Sequence, residues 1–510
     1  MEFKVQRGTL AKQGGEMLVL GHYEGESLSP ETASIDKAIG GKIQEVIASD
    51  EFSGRFLQTL VLRTDRTDRK IASPRLLLLG LGKRAETTLD RIRQAMGRAA
   101  TQIREMGLTQ FATQIHGKGL PRLSVQDLAQ AMVEGVILGL YQFQVYKTDR
   151  EALPKEVREC TLVDPDEKRA VEIQMGVRRG RSIAEGVNYV RDLCNAPSNV
   201  ITPSRLADEA KKIASDYHLR VEVLERSDME RLGMGALLGV ARGTVEPPKF
   251  IVLEYEGAQK KTRPIALVGK SVTFDSGGIS LKPAESMEQM KYDMTGGATV
   301  LGTMRVAAQL QLPLHIIGVL PATDNMPSGT AIHPGDVVTT LSGKTVEVIN
   351  TDAEGRLCLA DALAYAVRFK PAAMIDLATL TGACVVALGN HAMALFGNDP
   401  KLTAQIQKAS EETGERVWPL PLWDEYYDQI KSEVADLKNT GGRPGGSITA
   451  ALFLKQFVGD TPWVHLDIAG TSWNGERPRP YVPKGSTGTG LRLLVQYLTG
   501  LAKQQKAKHK

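Results

Sequence analysis

An α/β protein of two domains is what this sequence predicts: a small N-terminal α/β domain, then a larger C-terminal domain with a mixed sheet covered by helices. Three observations carry the expectation. At 510 residues the chain is too long for one ordinary core. Apolar strand-like runs alternate with helical patterns along most of its length. Aromatic residues make up only 5% while glycines number 50, a balance that suits many tight strand-to-helix turns. Hydrophobic content of 42% and charged content of 24% are those of a globular protein.

Residues 1–165 read as the smaller domain. Extended runs M-L-V-L-G (17–21) and P-R-L-L-L-L-G (74–80) alternate with the helical L-D-R-I-R-Q-A-M-G-R-A-A (89–100). The run L-L-L-L-G-L-G approaches a dinucleotide fingerprint, but Ala85 stands where its third glycine belongs. Residues 166–194 predict a long connecting helix, ended by N-A-P-S-N-V-I-T-P with its two prolines. From 195 to 510 the alternation resumes in the larger domain. Strands are expected at 220–224, 250–255, 264–269, 315–320, 345–349 and 373–378, and helices at 296–310 and 357–369. Such sheets place their chemistry at the carboxyl ends of strands.

Several function classes fall away on composition. No apolar run approaches the roughly 18 residues of a membrane span, and the first residues lack an apolar core of the secretory type, so no membrane partner is expected. The four cysteines, Cys160, Cys194, Cys358 and Cys384, form no C-x-x-C pair and suit a reducing, cytoplasmic compartment. Net charge is +4, nearly balanced, and the basic end A-K-Q-Q-K-A-K-H-K reads as a frayed, solvated terminus.

The chemistry concentrates in two stretches. V-I-N-T-D-A-E-G-R-L (348–357) sets Asp352, Glu354 and Arg356 at every second position, which on an extended backbone would turn all three to one side. V-G-K-S-V-T-F-D-S-G-G-I-S-L-K-P (268–283) and the residues after it contribute Lys270, Asp275, Lys282 and Asp293. A P-loop fails because Pro264 replaces its first glycine, and a nucleophile elbow fails because position 274 is Phe. A serine triad lacks a base in a recognisable context, since neither His315 nor His333 has one. No H-E-x-x-H is present, so a metal site must rely on oxygen ligands. The carboxylates of Asp275, Asp293, Asp352 and Glu354 carry four negative charges, enough to balance two divalent cations. One such aspartate is usually a cap or turn residue; four together with two lysines are harder to dismiss. A lysine beside two dications has its amine driven toward the neutral, ligating form, and a second, kept charged, can polarise a carbonyl. Arg356, near a helix N-terminus, calls for an anion between the guanidinium and the dipole.

With these residues assembled, the chain resembles the leucyl (cytosol) aminopeptidase family. N-T-D-A-E-G-R-L (350–357) matches its signature, and G-K-S-V-T-F-D-S-G-G-I-S-L-K-P (269–283) its metal-binding stretch; Ser271 and Thr295 stand where glycine is common. Further echoes are R-D-L-C-N-A-P-S-N (191–199), N-M-P-S-G-T-A-I-H-P-G-D-V (325–337), L-A-T-L-T-G-A (377–383) and H-L-D-I-A-G (465–470). The likeness is strong over the catalytic two-thirds and only in outline over the first 165 residues. It implies a cytoplasmic homohexamer of two-domain subunits, a metalloprotease that releases the first residue, Leu or another apolar one, from peptides with a free N-terminus. It also implies two divalent metal ions per subunit, manganese or zinc. One would be held by Lys270, Asp275, Asp293 and Glu354, the other by Asp275, Asp352 and Glu354. Lys282 and Arg356 align with the two catalytic residues, Arg356 holding bicarbonate. Met290, Thr379, Leu380, Gly382 and Ala469 fall where the pocket for the first side chain is lined. Cys358, next to the signature, is expected to make activity sensitive to oxidation. A phosphate-ester hydrolase with a similar metal pair is one rival. Some bacterial relatives also bind DNA, and the lysine tail would allow that role here. Yet the chain lacks the concentrated basic stripe or aromatic platform of a dedicated binder.

Overall fold

The structure, a computed structural model, describes residues 1–64, 70–149, 153–257, 262–475 and 478–508. Two compact units emerge, one of residues 1–185 joined by the late excursion around Pro480, the other holding most of the remainder. The helix Glu167–Asn195 begins in the first and ends in the second. The excursion grouping with the first unit has no counterpart in the expectation of one domain running from 195 to 510. Its Tyr481 Oη donates to Asp90 Oδ1 at 2.6 Å.

Among the described residues the first unit has a six-stranded sheet in the order Glu2–Arg7, Glu159–Asp164, Gln110–Gln114, Leu18–Tyr23, Arg75–Gly82, Thr59–Arg63. Neighbours are parallel except at the Thr59–Arg63 edge. Side chains alternate across the pleat. Leu18, Leu20, Leu76 and Leu78 pack with Ile35, Ile43 and Phe52 on one face. Val19, Leu77 and Leu79 meet the helices Leu89–Glu105 and Val125–Gly139 on the other. Two covered faces explain why these strands read as continuous leucine runs.

At the end of strand Gln110–Gln114, His116 is fully buried with Nε2 3.0 Å from Thr113 Oγ1, and burial pushes its imidazole down to about 4. An unfolded histidine takes its proton near pH 6.5. Between those two values the unfolded chain binds more protons, so stability rises with pH there and drains away as pH falls from 6.5 toward 4. The full loss is about 3 kcal/mol at 1.36 kcal/mol per unit. We expect His116→Leu to flatten this acid slope whatever it does to the plateau. Denaturation midpoints at pH 7 and pH 5 test it: equal drops in both proteins would clear His116 of the effect.

Among the described residues the second unit is built on a nine-stranded mixed sheet. Its middle is four parallel strands, Trp463–Asp467, Ala373–Ala378, Ile265–Gly269 and His315–Asn325. Antiparallel Met393–Gly397 and Lys249–Glu256 flank them, with Val417–Pro419 and Arg220–Leu224 outermost. Ser271–Asp275 runs alongside the far half of His315–Asn325. The helices Gly355–Val367 and Gly446–Lys455 pack on one face in the larger core, and Thr295–Gln309 lies against strands of the same sheet. The expected strand at 345–349 is shorter, Thr345–Glu347, and lies outside this sheet. It pairs with Val337–Thr339 and Leu437–Lys438 in a small sheet of its own. A β-branched run announces a strand but not which sheet receives it.

The basic end is not frayed. The helix Leu491–Lys508 continues through most of it, and residues 509 and 510 lie outside the described residues. Among the described residues no helix is long and apolar enough to cross a membrane.

Candidate metal centre and the cavity beside it

The carboxyl ends of the central strands deliver the site. Ile265–Gly269 ends at Lys270, Ser271–Asp275 ends at Asp275, and Ala373–Ala378 leads into Thr379. Asp293 comes from the 3₁₀ stretch Met287–Met294, which runs straight into the helix Thr295–Gln309. That helix sits almost on the strands: a Cβ on Gly296 would lie 2.1 Å from Leu377 O, and one on Gly269 2.5 Å from Gly296. Only glycine allows that approach, and it carries Asp293 over Lys270.

Lys270 Nζ lies 2.6 Å from Asp293 Oδ2 and 2.8 Å from Glu354 Oε1, and donates to Thr379 O at 3.0 Å. Lys282 Nζ lies 2.7 Å from Asp275 Oδ2 and 2.5 Å from Asp352 Oδ1. Asp275, Asp293 and Glu354, all buried, offer oxygens within 4.8 Å of one another. All five expected metal ligands and both expected catalytic residues thus converge on one region.

Asp352, Glu354 and Arg356 converge by a route different from the expected extended alternation. Residues 351–352 turn, Glu354 takes helical angles (φ −80°, ψ −35°), and Arg356 lies in the first turn of Gly355–Val367. Two uncharged side chains, Asn439 and Asn325, hold this turn. Asn439 Nδ2 donates to Asn350 O at 2.7 Å, its Oδ1 accepts from Ile349 N at 2.8 Å, and its carbonyl accepts from Arg356 Nη1 at 2.9 Å. Asn325 Nδ2 bridges Asp275 Oδ1 (2.9 Å) and Thr351 O (3.0 Å). Gly355, in the middle of the signature, has a structural reason too: a Cβ there would meet Lys270 Cε at 2.5 Å and Nζ at 2.7 Å. Asn325 opens the echo N-M-P-S-G-T-A-I-H-P-G-D-V with no charge to single it out, and no sequence signal marks Asn439.

The electrostatics follow from burial. Burial alone would lower the Lys270 amine, but Asp293, Glu354 and Asp275 outweigh it and hold the ammonium well above its usual range. Lys282 is likewise held above its ordinary value against burial, by Asp275, Glu354 and Asp352. Burial first, then neighbouring carboxylates, raises Asp352 and Glu354, and burial raises Asp293 well above the usual carboxylate range. Asp293 Oδ2, Glu354 Oε1 and Asp352 Oδ1 each lie against a lysine nitrogen yet accept no aligned hydrogen bond. Four carboxylates against two ammonium groups leave negative charge to spare. These oxygens, with a lysine nitrogen, form a donor set that fits divalent cations. Arg356 is buried, its Nε has no partner, and burial brings its guanidinium down to about 10. A buried guanidinium at a helix N-terminus that also lines the cavity fits a small anion. A second acidic cluster, Glu254, Glu256 and His315, is partly exposed, and Arg220 lies 2.7 and 2.8 Å from its two glutamates. It lacks the oxygens left over at the first.

Beside the centre opens a cavity of about 1100 Å³. Met290, Thr379, Leu380, Gly382 and Ala469 all line it, as do Lys270, Asp275, Lys282, Asp293, Asp352 and Arg356. Thr379 also serves the centre, since its Oγ1 donates to Asp293 Oδ1 at 2.7 Å. The expectation for Cys358 fails: its side chain is 0% exposed and burial pushes its thiol well up, so it is not a reactive group.

A buried carboxylate–lysine centre at the carboxyl ends of parallel strands, with a roomy cavity against it, defines a dinuclear metallohydrolase. The chain belongs to the cytosol aminopeptidase family. The model of that family's catalytic domain matches residues 188–495 and that of its N-terminal domain residues 19–150. A probable cytosol aminopeptidase of a Geobacter species is 50% identical over 482 residues, 94% of this chain and 96% of that one. One of Geotalea uraniireducens is 48% identical over 506 residues, 98% and 100% of the two chains. Among solved structures, a tomato leucine aminopeptidase mutant has a TM-score of 0.86 at 33% identity, covering 98% of this chain and 96% of its own. The bottromycin maturation enzyme BotP in complex with Mn has 0.84 at 34% identity, covering 96% and 100%. The protein is therefore a metal-dependent peptidase that hydrolyses peptides from the N-terminus.

Proposed function

We propose that this chain is a leucyl aminopeptidase, removing leucine or another apolar first residue from peptides with a free N-terminus. The observation that carries the reading is a carboxylate–lysine centre opening onto a cavity with apolar side chains at Met290, Leu380 and Ala469. Lys270, Asp275, Asp293 and Glu354 would hold one divalent ion, and Asp275, Asp352 and Glu354 the other, manganese or zinc in each place. Two such ions supply Lewis-acid polarisation of the scissile carbonyl and a water of lowered pKa.

The chain's own groups do the rest. Thr379 fixes the rotation of Asp293 through its Oδ1 and leaves Oδ2 to a cation. Lys282 lines the cavity with an ammonium held charged, suited to stabilise the oxyanion as the carbonyl carbon becomes tetrahedral. Arg356 would hold bicarbonate, keeping a proton acceptor in a cavity that no described histidine lines. Assembly as a homohexamer and a cytoplasmic location complete the reading. They rest on the resemblance and, for the compartment, on four cysteines that are all free.

The test is release of the chromophore from a leucyl amide by chelator-stripped protein, then with manganese or zinc restored, beside the same amide acetylated at its amine. Metal-restored cleavage of the free-amine substrate alone is expected. Equal cleavage of the acetylated amide would sink the exopeptidase reading, and cleavage of phosphate esters instead would favour the rival hydrolase.

A further inference from the structure

We infer that Asp467 is the specificity-positioning residue of the first-residue pocket: one buried carboxylate ties its two walls together and so sets which side chain the enzyme accepts. The inference rests on the aminopeptidase reading of the cavity. Asp467 ends the strand Trp463–Asp467, level with Ala378 of the neighbouring strand. Its side chain is 0% exposed and contributes nothing to the cavity surface. Its Oδ1 accepts the backbone N–H of Leu380 and of Ala469, each at 3.2 Å, and its Oδ2 accepts Thr381 Oγ1 at 2.6 Å. Leu380 and Ala469 face the cavity from two different loops, and both hang from one oxygen atom. The gap between the walls is thereby a property of Asp467. Thr381 extends the tie: its Oγ1 lies 2.8 Å from Ser447 Oγ, at the start of Gly446–Lys455, and accepts Cys384 N at 3.0 Å, capping Gly382–Leu388.

The charge itself argues for more than packing. Burying a carboxylate is expensive, and an apolar residue would fill the space at less cost. Two backbone N–H groups converge on Oδ1 and need an acceptor there, which no apolar side chain supplies. The counter-charge lies two residues back on the same strand. His465 Nδ1 sits 2.6 Å from Asp376 Oδ1, while Trp463 Nε1 donates to Asp376 Oδ2 at 2.7 Å. Burial would strip the imidazole of its proton, but Asp376 and then Asp467 reverse that and raise it above the usual histidine range. In the sequence H-L-D-I-A-G is only an echo of the family, and the resemblance gives Asp467 no role.

Asp467→Ala tests this by removing the oxygen that the Leu380 and Ala469 N–H groups share, so both walls come loose. Asp467→Asn is the control: its Oδ1 can keep both N–H groups while its NH2 donates to the Thr381 hydroxyl, so its selectivity should stay near that of the wild type. In the metal-loaded Asp467→Ala enzyme, kcat/KM for a leucyl amide should fall by roughly 10- to 100-fold, mainly through KM, with an alanyl amide much less affected, the scale of lost side-chain discrimination. Both metals should remain bound. Thr381→Val, which removes one donor, should shift selectivity the same way but less, and Thr381→Ser should restore it. Equal losses on leucyl and alanyl substrates, or an unchanged ratio, would overturn the proposal and leave Asp467 a stability residue. Binding of leucine and alanine hydroxamates tests the positioning role separately from the aminopeptidase reading. If the wild type turns over no amide yet prefers the leucine compound, and Asp467→Ala does not, the positioning role stands and the function falls. If the wild type binds both hydroxamates alike, the positioning role falls.

Discussion

Replacing Gly355 with alanine is expected to remove about one metal equivalent per chain and on the order of a hundredfold or more in kcat, with a loss of stability of about 1 to 3 kcal/mol. The new Cβ would lie 2.5 Å from Lys270 Cε and 2.7 Å from its Cδ and Nζ, distances at which one partner must move. The Lys270 side chain is only 4% exposed, so its amine must leave its place between Asp293 and Glu354. Losing one well-placed polar group in an active site commonly costs roughly 100- to 1000-fold, and displacing a group proposed to bind metal belongs at the upper end. Stability should fall as well. Gly355 is the first residue of its helix, and overpacking a buried site costs about 1 to 3 kcal/mol, more than the helix propensity of alanine returns. Metal analysis, kcat and Tm on the same preparation separate the two effects. Full metal content with normal turnover would show that Lys270 does not need this space.

The second large effect is expected from Lys282→Ala, with the opposite metal result. Lys282 lines the cavity, and its side chain, 21% exposed, is far more open than that of Lys270. It belongs to neither proposed ligand set. Both metals should stay, KM for a leucyl amide should change little, and kcat should fall on the order of a hundredfold or more, the scale of one lost oxyanion donor. A normal kcat would end the electrophile assignment. Asp352→Ala is the contrasting variant, losing metal at one site together with most turnover.

What the sequence disclosed about this site depends on charge and proximity along the chain. Asp352, Glu354 and Arg356 stand within five residues, and Lys270, Asp275 and Lys282 within thirteen, so their grouping is legible in the sequence alone. The strands of the larger sheet are legible for a related reason: buried parallel strands are apolar throughout. Less visible are the groups that act through shape or through uncharged contacts. Asn439 grips the signature turn from more than eighty residues away. Gly355 matters for a side chain it lacks. Thr345–Glu347 has the right residues for a strand, but its partners, Val337–Thr339 and Leu437–Lys438, are settled by tertiary contacts that no local pattern encodes. The turn that replaces the expected extended run at 351–356 hides for the same reason, since Asp, Glu and Arg are at home in either conformation.

Met290 apart, the proposed ligands and the named pocket residues come from different lengths of chain. Lys270 to Arg356 supply every residue assigned to metal or catalysis, whereas Leu380, Thr381, Gly382, Ser447 and Ala469 line the neighbouring space from further along. Mutation can therefore drift through the second group and retune diet without touching the reaction. A lineage of such enzymes could diverge in what it eats while its engine stays the same, and the joint between the two halves is narrow, a few hydrogen bonds around Thr379 and Asp467.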